Sequence, residues 1–243
     1  MASDTKTGGE GRSPWTRPGF LFAAGFCALL VVLLVVLLAT TGGRSGGGPG
    51  GHPGPARPPA GATGAVPPVD PGPTTVPVAP PQNVTWQLYQ TVALPYSTQA
   101  GPYEVTASTA TGYAHTPTGA LIAAVQIPVR MLAAPDWRAV VDRQVADGPG
   151  KAAYTTARAT VTDTTVTPGE LGQTAGFRFV NYTPAVATIQ VVTRFVSGAL
   201  QVTTMTVQWA DSGWLLVLQP DGSQSPTAQS IPNLLGYVAW GGV

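Results

Sequence analysis

Charge is scarce in this chain. Asp, Glu, Lys and Arg make up 9% of its 243 residues, and the net charge is +1. Lysine is nearly absent, since only Lys6 and Lys151 stand against ten arginines. No stretch gathers basic side chains, so the electrostatic footprint of a nucleic-acid-binding surface is missing and direct nucleic acid binding is not expected. From Asn83 onward eight acidic side chains meet seven basic ones, so an anionic lipid surface is not an expected partner of that region either. The preference for Arg over Lys, with abundant Ala, Gly, Pro and Val, is that of GC-rich coding and points to a high-GC bacterial source.

Cysteine and histidine are almost as rare. Cys27 is alone, so no intrachain disulfide can form and a cysteine-based zinc site is excluded. It lies inside an apolar run directly after the bulky Phe26, a poor setting for a lipoprotein cysteine and a good one for a small lipid-facing residue. His52 falls in a Gly/Pro tract, and His115 is the other histidine. There is no G-x-S-x-G elbow, no paired histidines at metal-ligand spacing and no glycine-rich phosphate loop. No catalytic residue, cofactor or metal is therefore expected, and the chain reads as a non-enzyme.

The long apolar run is the strongest feature. Gly19 to Thr41 carries no charge, and Phe20 to Ala39 is twenty residues, enough for a helix to cross about 30 Å of hydrocarbon. A cleavable signal usually has an apolar region of only about 7–15 residues, so an anchor is the better reading. Lys6, Arg12 and Arg17 precede the run, which places the N-terminus in the cytoplasm and the rest outside it. Residues 1–18 are then a cytoplasmic tail and 19–41 a transmembrane helix, with the lipid bilayer as a partner through Phe20–Ala39. Residues 42–82 are dominated by Gly, Pro and Ala without apolar periodicity, the composition of a disordered linker that tethers a domain away from the membrane.

Folding signals return over 83–243. Thr116–Pro117 reads as an N-cap with Pro at the first helical position, and Ala120, Leu121, Ala124 and Val125 recur at helical spacing up to Pro128, which closes the segment. Asp136 caps a second stripe made by Trp137, Val140, Val141 and Val145, ended by "DGPG". "KAAYTTAR" is a third helical stretch. Then come β-branched and aromatic runs, "AGFRFVNYT", "ATIQVVTRFVSG", "ALQVTTMTVQWADSG" and "GWLLVLQP", with hairpin turns at Ser197–Gly198 and within "ADSG". Early helices and a late antiparallel meander predict an α+β domain with helices over one face of a curved sheet, of which the NTF2-like cone is the best single match.

Four side chains are the candidate binding surface: Trp86, Tyr89, Tyr113 and His115. Trp86, Tyr89, Tyr96, Tyr103 and Tyr113 precede the first helix, and such aromatics serve either as contact anchors or as packing that holds the N-terminal segment on the sheet. Packing is the favoured role. His115 directly precedes the cap Thr116, a position where an imidazole fills space or bonds nearby backbone.

The blocks "GYAHTPTGALIAA", "PDWRAVVDRQVADGPG" and "SGWLLVL" resemble a family of uncharacterised actinobacterial single-pass membrane proteins. Their extracytoplasmic domain is one of unknown function, and they are associated with integrative conjugative elements. The resemblance covers about Trp86 to Val217. The layout of tail, helix, linker and α+β domain is also similar to bitopic type IV secretion subunits with NTF2-like domains. The resemblance implies a membrane-anchored scaffold or assembly subunit of a conjugation machine, whose partners are a second copy in a homo-oligomer and other channel subunits. The alternative is an extracytoplasmic binding module for a cell-wall component or a small ligand.

Overall fold

The domain is built around one helix. In a computed structural model, which describes residues 75–162, 165–210 and 213–242, helix α1 spans Pro117–Ala133. Thr116 caps it as expected: its backbone is extended, and its side-chain oxygen accepts from the Gly119 amide at 3.1 Å. Gly119 is required there, because a Cβ would lie 2.0 Å from the Ala114 carbonyl oxygen. α1 is buried on nearly every side, including Leu121, Ile122, Val125, Ile127 and Met131. A helix apolar all round must be enclosed, and this one is. Strand β2 (Val92–Ser97) packs on one side, and strands of the main sheet pack on the other.

Pro128 does not close α1, contrary to the sequence expectation; it lies inside the helix, which continues for five more residues. Proline removes one backbone bond to the carbonyl four residues back. The packing of Ile127, Arg130 and Met131 on both sides of the proline outweighs that loss. The far end of α1 is tied down by later residues. The Tyr154 hydroxyl donates to the Met131 carbonyl at 2.9 Å, and Arg158 donates to the Leu132 carbonyl at 3.2 Å.

Helix α2 (Trp137–Gln144) starts at its expected cap, with Asp136 Oδ1 accepting from the Ala139 amide at 3.0 Å. It buries the predicted stripe of Trp137, Val140 and Val141. "DGPG" does not end it. The chain leaves the helix at Val145, which bridges to Leu216, and the Ala146 amide then donates to the Leu216 carbonyl. Sheet pairing ends this helix, and Gly148–Pro149 instead opens helix α3 (Pro149–Ala159).

The strand runs fold as antiparallel partners. Strands β5 (Gln173–Tyr182), β6 (Val186–Arg194), β7 (Leu200–Ala210) and β8 (Gly213–Val217) pair in succession. Two late strands complete the sheet: β9 (Ala228–Ile231) shares the β7 edge with β8, and β10 (Val238–Ala239) pairs with β5. The β6–β7 turn uses Gly198 at a φ of 83°, as the Ser197–Gly198 signal predicts. Register shifts in β5 between Thr174 and Gly176 and between Phe179 and Asn181 bend that strand and curve the sheet.

The expectation that helices come first needs correction. Two antiparallel pairs precede α1: β1 (Val84–Tyr89) with β2, and β3 (Glu104–Val105) with β4 (Ala110–Thr111). They are two-stranded units outside the main sheet, and long polar side chains attach them. Gln173 mimics a strand partner for the β1–β2 hairpin: its side chain accepts from the Ala93 amide at 2.9 Å and donates to the Thr91 carbonyl at 2.7 Å. Gln144 does the same for Ala110, accepting at 3.2 Å and donating at 2.6 Å. Gln126 donates to the Pro95 carbonyl at 2.9 Å.

The described residues fall within one compact unit, Val66–Val243, of α+β class. The tail expected at 1–18, the membrane helix at 19–41 and the linker up to residue 74 lie outside the described residues. Among the described residues no helix is long and apolar enough to cross a membrane.

Candidate binding site

The four candidate residues do not converge. Tyr89 and Tyr113 belong to an arginine cage, His115 to a tryptophan nest and Trp86 to a groove.

Arg130 organises the cage. It is fully buried in the last turn of α1, where the helix C-terminus favours a cation. Its guanidinium donates to Gln126 Oε1 at 2.9 Å, to the Ser108 carbonyl at 3.1 Å and to the Tyr96 hydroxyl at 3.0 Å. It also lies 4.1 Å from the centre of the Tyr89 ring. The sole side-chain ion pair among the described residues is Lys151 with Asp147, so no described carboxylate neutralises Arg130. Burial raises the Tyr89 phenol above its ordinary value, with Arg130 pulling the other way. Burial raises Tyr113 far more, and Arg130 and Gln144 offset only part of that. The Tyr113 hydroxyl faces Gln144 but makes no hydrogen bond of full geometry. Tyr113 is therefore interior packing, and Tyr89 forms the lid of the cage; its hydroxyl donates to the Ala107 carbonyl at 2.9 Å.

His115 is held by aromatics. Its ring stacks on Trp209 with centroids 4.0 Å apart and planes 10° apart, and meets Trp214 edge-on at 5.8 Å. Nε2 is bonded to the Pro184 carbonyl oxygen at 2.5 Å, which makes it the protonated nitrogen. Nδ1 is buried without a partner among the described residues, and no described carboxylate bonds to the ring. Trp214 completes the nest by donating from Nε1 to the Ala114 carbonyl at 3.0 Å. This arrangement pins the turn before α1 to the β5–β6 and β7–β8 hairpins. Tyr103, also weighed among the aromatics, is exposed, and its hydroxyl donates to the Gln99 carbonyl at 2.7 Å.

Trp86 alone borders open space. It sits half-buried on β1, edge-on to Trp240 with centroids 4.8 Å apart. Trp240 follows β10 and packs in turn on Phe177 at 5.5 Å. Beside them opens a groove of about 500 Å3, bordered by Pro80, Pro81, Arg194 and Leu234. Glycines at the C-terminal end allow the close approach: a Cβ on Gly242 would lie 2.7 Å from Trp86 side-chain carbons, and one on Gly241 would lie 2.3 Å from the Thr174 carbonyl oxygen. A second, smaller cleft of about 240 Å3 lies by α2 and β8, with Asp142, Arg143 and Lys151 on its wall. The described residues contain no group of three or more His, Cys, Asp or Glu placed to hold a metal ion.

Residues 48–239 match the family described as Domain of unknown function (DUF8175). The chain belongs to that family. The match is wider than the sequence resemblance over Trp86–Val217, because it starts within the Gly/Pro tract and runs through β10; it takes in Trp86 and stops one residue before Trp240. No curated protein and no solved structure is significantly similar to the chain. Reading the sequence alone missed Trp240, Arg194 and Arg130 as organising residues. The signal for Trp240 was a tryptophan followed by two glycines, the pattern of a ring packed beneath a closely approaching backbone.

Proposed function

We propose that this protein is a non-enzymatic, membrane-anchored assembly subunit, held in the bilayer by Phe20–Ala39, that serves an actinobacterial conjugation machine of the type IV secretion kind. The observation that carries this reading is where the domain's polar chemistry is spent. His115, Gln126, Arg130, Gln144 and Gln173 each hold one segment of the fold against another. The larger of the two openings described is the groove bordered by the Trp86 ring, suited to contact rather than to reaction. Exposed aliphatics at Leu88, Val180, Val196 and Leu235 add apolar surface for partners. Helices α1 and α2 against a curved antiparallel sheet are the parts of an NTF2-like scaffold, and that assignment is included in the proposal.

The test is cross-linking in native membranes, with the gene deleted in parallel. The expected result is recovery of homo-oligomers or of channel subunits, with conjugation lost on deletion. A solitary protein whose deletion leaves conjugation unchanged would refute it. The second reading, a module that binds a cell-wall component or small ligand, rests on the smaller cleft and its Asp142, Arg143 and Lys151 wall. Saturable binding of soluble wall fragments, lost on Lys151→Ala, would favour that reading.

A further inference from the structure

We propose that the groove beside Trp86 and Trp240 receives the proline-rich segment Val66–Pro73, "VPPVDPGP", of a neighbouring copy of this chain. The inference rests on the assembly reading above and names the contact that would join two copies.

The groove has the elements that recognise polyproline. Its aromatic wall is the half-buried Trp86 ring, set edge to face against the buried Trp240, and such a ridge accepts the stiff, preformed rings of a proline-rich strand at little entropic cost. Its lip already carries the same chemistry, for Pro80 and Pro81 of the chain itself border the space. One cation stands there: Arg194, exposed at the end of β6 and in no ion pair among the described residues. The 42–82 tract contains a single acidic residue, Asp70, and it lies inside "PPVDP". A ligand with prolines to lie along the Trp86 ring and one carboxylate for Arg194 is therefore supplied by the chain. Leu235, next in sequence to the lining residue Leu234, is almost fully exposed.

A neighbouring copy is the better donor. Pro80 and Pro81 already lie at the groove, so Asp70 of the same chain would have to double back within about ten residues that include Pro71, Pro73 and Pro77. Prolines stiffen such a stretch and resist the reversal. Copies anchored in one membrane present their tracts to each other at high effective concentration.

The experiment uses full-length chains in membranes, with Cys27→Ala so that only introduced thiols react. One tagged copy carries Val69→Cys and a differently tagged copy carries Leu234→Cys. The expected result is a mixed disulfide between the two tags. Arg194→Glu on the groove copy should lower its yield roughly two- to fivefold, the range open to one exposed charge pair, and Asp70→Arg on the donor should restore it. A donor with Ala62→Cys should react poorly. Near-UV circular dichroism checks that each variant is folded. Equal yield from Ala62→Cys, or a disulfide that forms only within a chain carrying both thiols, overturns the proposal. No disulfide in folded chains that still cross-link to one another elsewhere also overturns it, while leaving the assembly reading intact. No disulfide and no association by any route sinks both.

Discussion

Arg130→Met tests whether the buried cage holds the fold together. Methionine nearly conserves length and apolar bulk, so the change removes the guanidinium without opening a large cavity. Two buried acceptors, Gln126 Oε1 and the Ser108 carbonyl, lose charged donors, and Tyr96 loses its partner at the half-buried edge. Each buried acceptor left unsatisfied costs about 1–3 kcal/mol. The contact with the Tyr89 ring adds roughly 1 kcal/mol. Against this, a cation no longer has to be taken out of water, which returns several kcal/mol in the limit of complete desolvation. The expected net loss is about 2–4 kcal/mol, close to the cost of breaking other buried polar networks. Urea unfolding at pH 7 measures it. A cycle with Gln126→Leu should show coupling of about 0.5–3 kcal/mol, since one acceptor vanishes with its donor. Arg130→Met within about 0.5 kcal/mol of the wild-type chain would show that the cage contributes nothing net, and the reasoning from unsatisfied acceptors would fail.

Thr116→Ala should cost about 0.5–2 kcal/mol for the lost cap, and Leu121→Ala about 2–5 kcal/mol because the side chain is fully enclosed, both read from denaturant midpoints. His115→Ala should cost about 1–3 kcal/mol, from one lost hydrogen bond and one lost ring stack, and should leave cross-linking to partners unchanged; loss of partner contact in a folded variant would return His115 to the binding surface. Stability should also fall at high pH. Burial raises the Tyr154 phenol from 10.0 to about 12, so above pH 10 the unfolded chain releases its proton before the folded one does. That contribution is complete below pH 10 and is lost as pH rises through about 12; thermal melts should show it, and Tyr154→Phe should flatten the decline. A Tyr154→Phe chain with an unchanged alkaline profile would place the titration elsewhere.

Local features of the fold were legible in the sequence. Thr116 followed by Pro117, and Asp136 before its apolar stripe, set the starts of two helices, because a cap acts within one turn of the residue that supplies it. Ser197–Gly198 set a hairpin for the same reason. Where helices end was decided by partners far along the chain. α1 passes through Pro128 because packing from both sides outweighs one lost bond, and α2 stops at Val145 because strand β8 offers a better partner for its backbone. The attachment of the early hairpins was also beyond local reading. Gln126, Arg130, Gln144 and Gln173 look like ordinary polar residues in the sequence, and only their position facing a bare strand edge or loop turns them into substitutes for a missing backbone neighbour. The candidate site divides the same way. Composition singled out the early aromatics and His115, but Trp86 needed Trp240, separated from it by most of the domain, before a groove existed, and His115 needed Trp209, Trp214 and Pro184 before its role became structural. Rings meet through long-range packing of the sheet and its C-terminal strand, which no short window of sequence contains.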